Sequence, residues 1–197
     1  MESLKPQDVL VALKLCSIAS DEHLNAAKTP PLGMAALGVQ LGLSASEIHA
    51  AIRRARRSGL LHPQLSGNGS KKRSNSLRPE RPNVAAIREF LVHGLKYAFP
   101  AQRGEFTRGV PTSYAAAPLN KLVAKGRDPV PVWPFADGTE RGIALEPLYR
   151  TVPLAALRDP VLYELLAIAD ALRDGRLRER KIAEEQLRER LRRIHVE

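Results

Sequence analysis

The sequence predicts a mainly α fold with a small β component, and three observations carry that prediction. Apolar residues recur at helical spacing through most of the chain. Aromatic residues make up only 5% of the 197 residues while the hydrophobic fraction reaches 44%, as expected for helices packed through aliphatic side chains. Turn-rich stretches flanked by short strand candidates are confined to two places, residues 62–82 and 130–145. The expected organisation is an N-terminal unit over residues 1–82, followed by a mostly helical region over 83–197 that contains a short β-hairpin.

The first helix is expected from Pro6 to about Ala19. Pro6 suits a first turn, and Val9, Leu10, Leu13 and Ile18 form the face to be buried. Cys16, the single cysteine, rules out an intramolecular disulfide and a cysteine-based zinc cluster, and reads as a small core residue. Asp21 to Pro31 form a loop ended by the Pro30-Pro31 break. Two short helices follow. Met34, Leu37 and Leu41 line the first, and Gly42 stands where a helix end favours positive φ. Leu43 closes a small core, Ser44 is the next N-cap, and Glu47 three residues on completes a capping box. The second helix buries Ile48, Ile52 and Ala55, with Leu60 just past its end.

Its opposite face has the chemistry of a DNA recognition helix. Ser46, His49, Ala50 and Arg53 are the candidate base contacts. Arginine reads guanine bidentately, serine and histidine are less selective, and alanine touches a thymine methyl. Ser44, Arg54, Arg56 and Arg57, with Lys71, Lys72 and Arg73 further on, are the candidate phosphate contacts. Such contacts supply affinity and salt dependence rather than sequence choice. Arginines in a last helical turn also stabilise the helix by about 0.3–1 kcal/mol through its dipole. Charge supports a polyanionic partner: the net value is +10, and nine basic residues face a single acid, Glu80, between Arg53 and Arg81. The segment His62 to Pro82 holds the turn cluster Gly67-Asn68-Gly69 followed at once by Lys71-Lys72-Arg73. It reads as a β-hairpin with a basic tip, and its Ser, Gly and Pro content also fits a linker.

The stretch Met34 to Leu61 resembles the helix-turn-helix of bacterial winged-helix transcriptional regulators, including MarR-like ones. Their pattern LAxxLGLSxSEVHxALxRLxxxGLL is matched at Ala36, Leu41, Gly42, Leu43, Ser44, Glu47, Ile48, Ala51, Ile52, Gly59, Leu60 and Leu61. The departures are Gly33 and Gly38, each costing the first helix about 1 kcal/mol against alanine if interior. The resemblance covers roughly the first 80–100 residues. It implies a scaffold helix, a second helix, a recognition helix and a β-hairpin wing, acting on double-stranded DNA. It is nearly silent about the operator.

Beyond residue 82, Asn83 caps a helix running to about Ala98, with Val84, Ile87, Leu91, Leu95 and Ala98 on one face and His93 partly buried. Pro100 ends it. Residues 100–119 read as an extended segment draped over helices; Arg103, Arg108 and Tyr114 within it would suit an anion pocket, although no phosphate-binding signature is present. Val130–Trp133 and Gly142–Leu145 are short strands around the turn Asp137-Gly138, and Pro131 and Pro134 keep the first at an edge. Asp159 and Pro160 open an apolar helix over Val161–Leu172. The last helix carries a stripe of Leu177, Ile182, Leu187, Leu191 and Ile194, with Arg–Glu pairs worth about 0.2–0.5 kcal/mol each.

The last helix is expected to form a homodimer, because two modules on a palindrome give half-sites about one helical turn apart. The functional expectation is a sequence-specific regulator of transcription, a dimeric repressor in the cytoplasm, associated with the nucleoid when bound to DNA. An antitoxin or adaptor is the alternative, its C-terminal helices holding a partner protein while the N-terminal half regulates its own operon. RNA binding through the basic face is a third reading. No HExxH, GxSxG or paired-carboxylate site is present, so neither enzymatic activity, nor a cofactor, nor a metal is expected. No apolar run of 18 or more residues occurs, and a membrane partner is not expected either.

Overall fold

The computed structural model describes residues 2–24, 33–62, 80–124 and 129–194. Helix α1 (Pro6–Leu24) is longer than the apolar pattern suggests. From Asp8 to Ser17 every residue is buried. Ten consecutive covered positions span nearly three turns, so α1 is enclosed on all sides, as an all-round apolar helix must be. Helices α2 (Met34–Leu41) and α3 (Ala45–Arg57) meet across a three-residue turn. Gly42 adopts φ +66° there, and its amide donates to the Gly38 carbonyl. Gly38 is buried inside α2 because the chain folds back on it: a Cβ would stand 2.4 Å from the Leu43 carbonyl oxygen. The glycine that weakens the helix is what permits the turn. Gly33 lies outside α2, as its N-cap.

After α3 the chain returns on itself. Leu61 and Pro82 form an antiparallel bridge, the His62 amide donates to the Arg81 carbonyl at 3.0 Å, and the Asn83 amide to the Leu60 carbonyl at 2.9 Å. Asn83 caps the next helix by accepting from the Ala86 amide at 3.2 Å. That helix is α4 (Val84–Glu89), a π-helical turn (Phe90–Gly94) and α5 (Leu95–Ala98) end to end. Val84, Ile87, Leu91 and Leu95 face inward as the spacing predicts, while Ala98 and His93 are exposed. His93 lies two positions from the buried Leu91, on the opposite face of the helix.

The β part differs from the expected hairpin. Residues 103–111 form a strand, β1 (Arg103–Pro111), which pairs antiparallel with both β2 (Pro131–Pro134) and β3 (Glu140–Leu145). Since both partners run against β1, β2 and β3 are parallel to each other, Pro131 facing Ile143, and the three strands close into a small barrel. Trp133 is fully buried and donates from Nε1 to the Asp170 carboxylate at 2.6 Å. Thr112 donates to the same oxygen at 2.8 Å, and Arg173 donates to the other at 2.8 Å.

Helix α6 (Val152–Arg158) precedes α7 (Pro160–Asp174) and α8 (Leu177–Arg192). Asp159 caps α7, as its sequence position predicts, accepting from the Leu162 amide at 2.9 Å. The middle of the apolar stripe on the last helix is covered within the chain, while Leu177 at its start stays exposed. Ala183, Leu187 and Leu191 are buried where α8 packs on α7. The reason lies in α7, whose residues from Leu165 to Leu172 are all buried and need cover on every side. Side chains from α1 through α8 join one continuous core spanning the expected boundary at residue 82. Among the described residues, no helix is long and apolar enough to cross a membrane.

Candidate nucleic-acid interface

Helix α3 has two chemically distinct faces. Ile48, Ala51, Ile52 and Ala55 are buried at its back. Ser46, His49, Arg53 and Arg57 are exposed and fall on one stripe at spacings of three and four, with Ala50 half-buried at its margin. Four of the expected contact residues are therefore brought together on one open surface.

The start of the helix is held by the capping box. The Ser44 hydroxyl accepts from the Glu47 amide at 3.2 Å, and the Glu47 carboxylate accepts from the Ser44 amide at 2.8 Å. It also accepts from the Ser44 hydroxyl at 2.8 Å. The Ser44 amide and hydroxyl hold the Glu47 carboxyl below its usual range. Ser44 is thus committed to the cap yet remains exposed. Its hydroxyl stands 3.0 Å from that of Ser46.

The arginines separate into different roles. Arg54 corrects the sequence expectation: its side chain is only 4% exposed and meets Asp8, fully buried on α1, in a bidentate pair. Nε donates at 2.8 Å and Nη2 at 2.6 Å. It fastens α3 to α1 and cannot reach a phosphate from that position. Arg56 is partly buried and donates through Nε, at 2.9 Å, and Nη2 to Glu80. It ties the end of α3 to the returning chain. Arg53 meets Glu2 at 3.1 Å, both side chains about half exposed. The hydrogen bond and charge of Arg53 lower the Glu2 carboxyl below its usual range, and Arg54 and Arg57 add to this. Glu2 therefore sits among the cations of the candidate surface, a neighbour that local patterning around α3 does not reveal. Lys71, Lys72 and Arg73 lie outside the described residues.

The anion pocket expected from Arg103, Arg108 and Tyr114 is not assembled as such. Arg103 and Tyr114 line one shallow cleft together with Pro131 and Ile143. The Arg103 guanidinium is bound to Asp174 at 2.7 Å, and Arg108 donates elsewhere, to the Gly138 carbonyl at 3.2 Å. Among the described residues, no three His, Cys, Asp or Glu side chains gather as a metal site. No family model matches the chain, and neither the curated proteins nor the solved structures searched contain a match.

Proposed function

We propose that this chain is a sequence-specific, double-stranded-DNA-binding transcriptional regulator of the winged helix-turn-helix type, a repressor acting as a homodimer rather than an enzyme. The observation that carries this reading is the division of α3. Its back is locked by apolar contacts and the Arg54–Asp8 pair, and its outward stripe presents Ser46, His49, Arg53 and Arg57. A rigid helix with hydrogen-bonding groups near its start and a cation near its end suits a major groove. The antiparallel return at Leu61 and Pro82 brings the chain back beside the end of α3, as a winged helix-turn-helix requires, and Lys71, Lys72 and Arg73 fall between them in the sequence.

Arg53 and His49 read base edges in this proposal, with Ser46 and Ala50 beside them. Arg57, Lys71, Lys72 and Arg73 neutralise phosphates. Dimerisation rests on the modest specificity of a single module, and it needs a surface other than the Leu187–Leu191 stripe, which is covered within the chain.

Selection of genomic fragments with the purified protein at about 150 mM salt tests the proposal, since non-specific phosphate contacts are already weakened there. Enrichment of a palindrome is the expected result, and Arg53→Ala should relax the preference as well as the affinity. Enrichment of nothing, with binding that disappears as salt rises, or a preference for single-stranded RNA, would overturn it.

A further inference from the structure

The C-terminal region reaches the start of α3. Thr151 packs on the turn between α2 and α3, its Cγ2 standing 3.2 Å from where a Gly42 Cβ would be. Helix α6 begins at the next residue and runs beside α2, with Arg158 donating to the Val39 carbonyl at 2.9 Å. On the other side Leu148 is anchored in the core. The backbone of residues 148–158 is thus held against the helical pair at Thr151 and Arg158, and by the core at Leu148. Between them Arg150 is exposed. Its guanidinium stands 5.8 Å from the ring of Tyr149, and its charge reaches the Glu47 carboxylate in the first turn of α3. Among the described residues it forms no ion pair.

The stripe on α3 is consequently bounded by a cation at each end, Arg150 beside the first turn and Arg57 in the last. Ser46 and Arg57 are about 16 Å apart along the helix axis at 1.5 Å per residue. The major groove is about 12 Å wide, with a phosphate backbone on either side. A helix lying in it with a cation at each end of its outward stripe meets one backbone at each end.

We infer that Arg150 belongs to the DNA interface as a phosphate contact, pairing with Arg57 to bracket the groove that α3 enters. The C-terminal region then contributes to the footprint itself. This rests on the proposed function of α3. It adds that the register of α3 in the groove is set from both regions of the chain.

The test is binding of the full-length chain to a random-sequence duplex about three helical turns long, followed across a salt series, for wild type, Arg150→Ala, Arg150→Lys and Arg57→Ala. Each alanine variant should reduce the slope of log affinity against log salt by about 0.9. Arg150→Lys should keep the slope, because a phosphate accepts any well-placed cation, and fragment selection with Arg150→Ala should return the wild-type sequence preference. Circular dichroism of Arg150→Ala should match wild type, given the exposure of the side chain. If Arg57→Ala loses its share of the slope and Arg150→Ala does not, the bracket is wrong and the reading of α3 stands. A changed sequence preference in Arg150→Ala would also overturn the phosphate role. Wild type that binds no duplex at any salt concentration would overturn the reading of α3, and the bracket with it.

Discussion

Removing the Arg54 guanidinium should cost this protein stability and, on the proposed function, leave duplex binding by the folded chain unchanged. The Arg54 side chain is 4% exposed, and Asp8 beneath it is fully buried. Two charge-assisted bonds, at 2.8 and 2.6 Å, join them. With Arg54 replaced by Met, the Asp8 carboxylate would keep, among the described residues, only the Lys5 amide, at 2.8 Å, as a donor. Breaking one side of such a pair costs about 3–5 kcal/mol, since a charge is stranded away from water. Replacing both partners by apolar residues of similar volume is often close to neutral. The prediction is a cycle: Arg54→Met and Asp8→Leu each lose about 3–5 kcal/mol, and the double variant recovers most of it. With a denaturant dependence of about 2 kcal/mol per molar urea, each single variant should unfold about 2 M earlier. Urea unfolding followed by circular dichroism reads this directly. A single-variant loss under about 1 kcal/mol would refute the buried-pair argument. So would a double variant that is stable but has lost the salt slope of one phosphate contact, because Arg54 would then be facing DNA.

Two other predictions are more local. Cys16 is fully buried and burial pushes its thiol up to about 12, so the native protein should resist thiol reagents at pH 8 and react promptly in urea; rapid labelling of the folded chain would show that α1 opens. Burial works against the charge of Asp159, yet the Leu162 amide, Lys14 and Ser17 outweigh it and hold the carboxyl below its usual 3.8. A depressed folded value gives stability that is present above the unfolded value and lost as the pH falls through the folded one. Asp159→Asn should therefore flatten the acid limb of the stability profile below about pH 4, and an unchanged limb would remove Asp159 from the acid response.

What was legible in the chain was short-range. Ser44 with Glu47, Asn83, and Asp159 with Pro160 are caps whose partners lie within three residues, and each is seen in place. The outward stripe on α3 followed from helical spacing alone. The failures concern partners far away in sequence. Arg54 looks like any surface arginine until α1 brings Asp8 to it across 46 residues. Strand β1 gave no period-two signal because most of its side chains, Arg103, Glu105 and Arg108 among them, face solvent and only its end is buried. The stripe on α8 was correctly apolar but silent about its partner, which is α7 of the same chain. Position 150 carries no local pattern; its significance comes from Thr151 resting on Gly42.

Helix α1 makes the N-terminal 82 residues a poor candidate for independent folding. Asp8 at one end holds Arg54 of α3, while Lys14 and Ser17, two turns on, donate to Asp159 at 2.6 Å each. Asp159 in turn caps α7. The polar residues of α1 are therefore divided between the two regions, and so is its apolar surface, because Val9 to Leu13 are all 2% exposed or less. Cutting the chain after Pro82 would uncover one side of α1 and strand Lys14 without its carboxylate. Exposed aliphatic side chains lose about 25 cal/mol for every Å² of apolar surface returned to water, and a fragment this short has little surplus to spend. The fragment 1–82 should accordingly show little cooperative unfolding and little duplex binding, although it contains the whole candidate reading surface of α3. A fragment that unfolds cooperatively and binds duplex with the wild-type salt slope would show that α7 is dispensable to α1 and that Arg150 adds nothing to the interface.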